Sequence, residues 1–185
     1  MADKIMLIRH AEKPDDSTLN FGVDETGRQN PDELVVRGWQ RAGALACLFS
    51  PRMVQSGDTA LATPQAIYAT AADHHARSLR PQRTVGPLAA LLGIMPNVDF
   101  TVGNEADLVG AAKAAPGAVL IAWHHEKIPA VANAIVGDAR TCPQDWPNER
   151  FDMIWVFDRE AGHAAWHFSQ VPQLLIAGDI ATSIV

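Results

Sequence analysis

The sequence has few cysteines, few basic residues and no long apolar run, and each shortage excludes a class of protein. Cys47 and Cys142 are too few for a disulfide framework, so we expect free thiols in a reducing compartment. Lys and Arg number 15 against 21 acidic residues, and the net charge of -6 argues against a general nucleic-acid surface. The first apolar run, Lys4–Ile8, is too short for a signal peptide or a membrane helix. We expect a cytoplasmic protein without nucleic-acid or membrane partners, and the oligomeric state stays open.

The apolar pattern predicts alternating strands and helices in one domain, residues 1–185. Predicted strands cover 4–8, 66–70, 98–102 and 118–123, and predicted helices cover 34–49, 85–92, 105–114 and 128–135. Two further strands, 151–157 and 164–168, flank a hairpin-sized turn at 158–162. Residues 13–33 have the composition of a loop. This order predicts a three-layer α/β/α fold with a mostly parallel central sheet and an antiparallel C-terminal addition.

The first predicted strand ends at Arg9 and His10. Ligands of open α/β sheets collect at the carboxyl ends of strands. A guanidinium matches phosphate oxygens, and an imidazole can act as nucleophile, acid or base near neutral pH. The pair therefore suits an anionic substrate, although a histidine that only caps the strand would leave the same pattern.

Two other segments carry candidate site residues. His124 and His125 follow the second strongly apolar strand, where they could face His10, end the strand without a function, or bind a metal together with Glu126. Arg80 precedes Pro81 at a predicted helix start, a place that favours anions. Arg77, Arg80 and Arg83 could equally form a solvated basic face.

Together these segments resemble the histidine phosphatase superfamily, whose fold is phosphoglycerate mutase-like, over nearly the whole chain. The resemblance rests on Leu7-Ile8-Arg9-His10-Ala11-Glu12-Lys13-Pro14, on Ser78 to Thr84 and on Val119 to Pro129, supported by residues 34–42 and 171–173. Two positions depart from the family pattern: Ala11 replaces the usual Gly, and Arg83 stands where Gln is common.

The resemblance implies a metal-independent, cofactor-free phosphatase in which His10 attacks a phosphomonoester and forms a phosphohistidine. Arg9, Arg80 and one further histidine would surround the phosphoryl group. Counting back four residues from Ile128 favours His124 for that histidine, whereas a branch that reads Trp-x-His-x-x-Ile-Pro favours His125, which we adopt, leaving His124 to bind substrate.

The proton donor and the substrate stay open at this point. A carboxylic acid is the usual donor, and Glu126 is slightly favoured over Glu12 by the resemblance. Lys13 could bind a second anionic group of the substrate, which would be a phosphorylated small molecule or a phosphoprotein. Loops 13–33 and 137–150 would set specificity. The alternatives are a non-catalytic phosphate-binding protein of the same fold and a zinc hydrolase using His124, His125 and Glu126.

Overall fold

The computed structural model describes residues 1–15, 19–51, 60–72, 77–160 and 162–185. Its strands are β1 (Ala2–Arg9), β2 (Ala66–Ala69), β3 (Gly117–Trp123), β4 (Met153–Asp158) and β5 (His167–Pro172). Its helices are α1 (Val36–Leu48), α2 (Arg80–Leu92), α3 (Glu105–Ala114) and α4 (Ile128–Val136), with a 3-10 turn at His125–Lys127 before α4. Among the described residues, no helix is both long and apolar enough to cross a membrane.

The five strands form one sheet in the order β2-β3-β1-β4-β5. Strands β2, β3 and β1 are parallel, and β4 and β5 join as antiparallel neighbours. In the register of the central pair, Arg9 of β1 lies opposite Trp123 of β3. The residues that follow these two strands therefore leave the same edge of the sheet side by side.

Alternating side chains of the central strands fill two separate cores. Ile5 and Leu7 of β1 point to one face, where α3 and α4 pack, and Met6 and Ile8 point to the other, where α1 and α2 pack. All four side chains are fully buried. A strand covered on both faces is apolar at every position, which is why this run could be recognised as a buried strand. The predicted three-layer architecture and the mixed sheet are confirmed.

Two predictions about the strands are wrong. Residues 98–102 form no strand, because the Asn97 side chain accepts a hydrogen bond from the Asp99 backbone and bends the chain after a single bridge to Tyr68. The last strand begins at His167 rather than at residue 164. The Arg159 guanidinium instead lies over the Trp166 ring, 4.8 Å from the ring centre. The first residues of the predicted strand are therefore part of the connection between β4 and β5. Residues 16–18 of the predicted loop and Ala161 of the predicted turn lie outside the described residues.

Candidate active site

The sheet register brings His10 and His124 together. The backbone N–H of His10 donates to the Trp123 carbonyl over 3.1 Å. The His10 and His124 ring centres are 5.6 Å apart, with the rings edge to face. Two histidines more than a hundred positions apart in the sequence thus lie side by side, because each follows one of two adjacent parallel strands that end at the same edge of the sheet.

His10 is held in the form that a nucleophile needs. Its side chain is buried, with 2% of the residue exposed, and its Nδ1 lies 2.7 Å from the Ala11 carbonyl oxygen. A carbonyl oxygen only accepts, so Nδ1 carries the proton and Nε2 of the neutral ring keeps its lone pair. Burial, with help from the nearby Arg9 charge, lowers the pKa of His10 well below its ordinary value. The ring is therefore neutral at physiological pH.

Arg9 supplies a buried cation with donors to spare. One guanidinium nitrogen, Nη1, donates to the carbonyls of Pro147, Asn148 and Arg150 at 3.3, 2.5 and 3.1 Å. The guanidinium lies 3.8 Å from the centre of the Phe151 ring. Its Nε and Nη2 are buried without a hydrogen-bond partner, and burial lowers the pKa of Arg9 to about 10. Unpaired donors on a buried cation create a site that an anion would complete.

The two neighbouring histidines have different surroundings. His124 faces the His10 ring, and its Nε2 is buried without a partner. His125 is the first residue of the 3-10 turn, and its side chain is hydrogen-bonded to Asn148. Burial lowers the pKa of both rings. The structure therefore sets His124 beside His10, whereas the sequence prediction had put His125 in that place.

Arg80 is oriented by the end of the loop that follows β1. Its Nε and Nη2 donate to the carbonyls of Glu33 and Pro31, at 3.2 and 2.6 Å. The Glu33 carboxylate is itself buried and accepts hydrogen bonds from Arg83 Nε at 2.9 Å and from Arg83 Nη2 at 2.8 Å. Arg80 lowers the pKa of both His10 and His124, so its charge is near the two rings. Burial lowers the pKa of Arg80 itself, opposed by Asp32 and Glu33.

Helix α2 is bonded to the backbone beside His10 through Thr84. The Thr84 hydroxyl accepts from the Ala11 N–H over 2.8 Å and donates to the Arg80 carbonyl over 2.7 Å. It therefore connects Ala11, the neighbour of His10, to the first turn of α2, where Arg80 lies. Sequence reasoning included Thr84 in a motif without assigning it a role, and it treated Arg83 as a departure without finding Glu33 as its partner.

Glu12 is held away from solution by arginines of α1. Its carboxylate accepts from Arg41 Nε over 3.1 Å and pairs with Arg41 Nη2 at 2.9 Å and Arg37 Nε at 3.3 Å. Glu126 is exposed on the 3-10 turn, and its charge opposes the burial that lowers the pKa of Arg9 and of His124. Lys13 is exposed beside the site and lowers the pKa of His125. Of the two candidate donors, Glu126 is the one whose carboxylate is open to solvent.

A metal centre would need side chains that converge. His124 faces His10, His125 bonds to Asn148 and Glu126 is exposed, so these three do not form a common set of ligands. Within the described ranges, no group of three or more His, Cys, Asp or Glu side chains is placed to hold a metal ion.

Solved structures share this fold at low sequence identity. Bacillus stearothermophilus YhfR is 12% identical, with a TM-score of 0.55 and 98% of each chain covered. A mycobacterial glucosyl-3-phosphoglycerate phosphatase in complex with VO3 is 15% identical, with a TM-score of 0.54, covering 90% of this chain and 97% of that one. The protein histidine phosphatase SixA in complex with tungstate is 12% identical, with a TM-score of 0.53, covering 92% and 97%.

No protein-family model matches the chain, and no curated protein matches it. At 12–15% identity the likeness establishes the fold alone, and that fold is the one of the histidine phosphatases. The resemblance inferred from the sequence motifs is confirmed at this level. The local geometry adds a neutral buried imidazole beside two arginines and a second histidine, an arrangement suited to a phosphoryl group.

Proposed function

We propose that the chain is a metal-independent phosphomonoesterase that works through a phosphohistidine on His10. The observation that carries the proposal is the pairing of a neutral His10, protonated on Nδ1, with buried donors that have no partner on Arg9. A lone pair on Nε2 is what in-line attack on phosphorus requires. Buried cations can then stabilise the charge on the transferred phosphoryl oxygens.

The reaction follows in two steps. His10 Nε2 forms a bond to phosphorus as the ester P–O bond breaks, and the leaving alkoxide takes a proton from Glu126. Water then attacks the phosphohistidine and gives a proton to the Glu126 carboxylate, the P–N bond breaks, and inorganic phosphate leaves while the ring returns to neutral. Glu126 is proposed as the donor because it is open to solvent near the site, while Glu12 is bound by Arg41 and Arg37.

Arg9, Arg80 and His124 form the proposed phosphoryl-binding group. We assign the second histidine to His124 rather than to His125 because its unpartnered Nε2 is on the ring that faces His10. With phosphate bound, the anion would favour a protonated His124 despite the burial that lowers its pKa in the empty site. Lys13 is proposed to contact the substrate outside this group.

Hydrolysis of p-nitrophenyl phosphate with EDTA present tests the proposal. We expect turnover by the unmodified chain, none by His10→Ala, and unchanged turnover by His163→Ala, whose exposed ring provides a matched control. Turnover that survives His10→Ala, or turnover that EDTA abolishes, would contradict the mechanism. Saturable phosphate binding without any turnover would instead indicate the non-catalytic phosphate-binding alternative.

A further inference from the structure

The proposed phosphoryl site is cationic inside and acidic around its opening. Inside, Arg9 is 1% exposed and has unpartnered donors that fit one anion. Outside, Glu149 is exposed and lies between Asn148 and Arg150, whose carbonyls accept from Arg9, and its charge opposes the burial that lowers the pKa of Arg9. Asp32 follows Pro31, whose carbonyl accepts from Arg80, and its charge opposes the burial that lowers the pKa of Arg80. We call Glu149 and Asp32 the acidic rim; Lys13 is an exposed cation beside it.

A cavity of about 500 Å³ adjoins the site on the Arg80 side. Pro31, whose carbonyl accepts from Arg80 Nη2 over 2.6 Å, is part of its wall. The cavity is lined by one ring, two prolines, a glycine, three amide side chains and a carboxylate: Phe21, Pro14, Pro31, Gly22, Asn20, Gln29, Asn30 and Asp15. No basic side chain is among these residues, so nothing in the lining would neutralise a carboxylate or a second phosphate.

The floor of the cavity is built by close backbone packing. The Asn30 N–H donates to the Gly22 carbonyl over 2.8 Å. A Cβ at Gly22 would lie 2.2 Å from the Asn30 carbonyl oxygen, so only glycine allows this approach. The cavity is therefore formed in the unliganded chain, and its volume is in the range of small-molecule sites.

We propose that this site, given the phosphatase function proposed above, selects monoesters of neutral or cationic alcohols, with the alcohol placed in the cavity, and rejects leaving groups that carry a second anion. The phosphoryl group satisfies the buried donors of Arg9. A neutral or cationic alcohol then meets amides, a ring and the acidic rim without repulsion. A carboxylate on the alcohol would meet the two rim charges of like sign, which Lys13 offsets in part.

Glycerol 3-phosphate and 3-phosphoglycerate provide the test, because they differ chiefly in a hydroxymethyl group against a carboxylate. At about 10 mM ionic strength, where screening is weak, we expect kcat/KM for glycerol 3-phosphate to be at least about tenfold higher. The preference should shrink at about 1 M salt, where charges beyond about 3 Å are screened. Turnover of p-nitrophenyl phosphate combined with equal or reversed selectivity would overturn this inference alone; absence of all turnover would overturn the phosphatase function itself.

The double variant Glu149→Gln/Asp32→Asn tests the rim with residues outside the proposed catalytic group. Removing two charges should raise kcat/KM for 3-phosphoglycerate about threefold per charge at low salt and leave glycerol 3-phosphate within about twofold. Asp107 is exposed on α3 and provides the matched control. Asp107→Asn should leave kcat/KM unchanged for both substrates. An unchanged ratio in the double variant would contradict the role of the rim.

Phe21→Ala tests the cavity. Phe21 is 43% exposed, and Leu91 on α2, 59% exposed, offers a control truncation. We expect Phe21→Ala to raise KM for phenyl phosphate about three- to tenfold through lost apolar contact, and Leu91→Ala to leave it unchanged. The inhibition constant of inorganic phosphate, which has no leaving group, should stay the same in both. If KM for phenyl phosphate did not change, the cavity would not hold the alcohol.

Discussion

At the scale of single residues, two adjacent histidines have opposite surroundings. His124 has an unpartnered nitrogen on the ring that faces His10, and His125 is hydrogen-bonded to Asn148. Strand β3 ends at Trp123, and the 3-10 turn begins at His125, so the chain changes direction between the two side chains. A difference of one position therefore decides which imidazole reaches the His10 ring.

Single substitutions of the two histidines should separate their roles. We expect His124→Ala to lower kcat for p-nitrophenyl phosphate by roughly 10²–10³, in line with loss of one transition-state donor. His125→Ala should lower kcat by less than about tenfold, because it removes only a bond to Asn148. The measurement is steady-state kinetics, with thermal melts to confirm folding. A larger loss in His125→Ala would return the catalytic role to that residue.

The buried histidines also make stability depend on pH. Burial lowers the pKa of His10 well below its usual value and lowers the pKa of His124 and His125. Unfolded histidines titrate near about 6.5, so below that pH the unfolded state binds protons that the folded state does not. Their contribution is present in full above about pH 6.5 and is lost as pH falls toward the folded pKa values.

Thermal melts between about pH 7.5 and pH 5 check this linkage. We expect the melting temperature of the unmodified chain to fall as pH decreases, and His10→Gln to show a shallower fall because one buried titrating ring is gone. His163→Gln removes an exposed ring and should keep the original slope. Identical slopes in His10→Gln and the unmodified chain would show that His10 does not bind protons differently in the two states.

At the scale of elements, helix α1 approaches the segment after β1 more closely than a side chain would allow. A Cβ at Gly38 would lie 2.6 Å from the Glu12 carbonyl oxygen and 3.1 Å from the Leu34 Cβ. The Val35 N–H donates to that same carbonyl over 3.1 Å. Gly38 thus allows α1 to fix the backbone two residues after His10.

Two glycines of α1 make a matched pair for testing this contact. Gly38→Ala should destabilise the fold by about 1–3 kcal/mol through overpacking and should lower kcat, because the segment after His10 must shift. Gly43→Ala meets nothing within 4 Å and should stabilise α1 by about 0.5–1 kcal/mol. Urea unfolding and p-nitrophenyl phosphate kinetics measure both effects. Equal stability changes in the two variants would show that the close approach of α1 at Gly38 does not affect the stability of the fold.

At the scale of the whole molecule, a buried ionic cluster joins the segment after His10 to the C-terminal residues. Arg41 bonds to Glu12, to Gln173 at 2.8 Å and to Asp179 at 2.7 Å. The side chains of Arg41 and Asp179 are 2% and 3% exposed. Burial acts to raise the pKa of Asp179, but hydrogen bonds from Arg41 and from backbone N–H groups prevail and lower it. The carboxylate is therefore ionised and paired with Arg41.

Breaking this cluster should affect both stability and activity. Asp179→Asn leaves the buried Arg41 charge poorly compensated and should cost about 3 kcal/mol, since removing one partner of a buried pair is strongly destabilising. We also expect a lower kcat, because Arg41 holds Glu12 beside the site. The exposed Asp107→Asn should cost less than about 1 kcal/mol, the value of a charge at a helix N-terminus. Urea unfolding measures the free energy of unfolding of both variants. Similar losses in the two would contradict the stabilising role of the cluster.

The sequence by itself determined the layer order and the place of Arg9 and His10 at the end of a buried strand. Buried strands such as 4–8 and 118–123 are apolar at every position, and helix 105–114 has clear ends, so local pattern was enough. Pairing with distant residues was not visible: Arg41 with Asp179, Glu33 with Arg83, and Arg9 with the carbonyls of 147–150. Part of the loop expected to set specificity also accepts hydrogen bonds from Arg9.

Only the tertiary structure shows the different surroundings of His124 and His125, and of Glu12 and Glu126. The physical reason is the same in both cases. The residue type determines the chemistry of a side chain. Its partners depend on where the strands end, how the chain turns after them and which arginines other elements bring close. Sequence spacing fixes none of these, because two adjacent positions at a strand end differ by the direction of a side chain and not by composition.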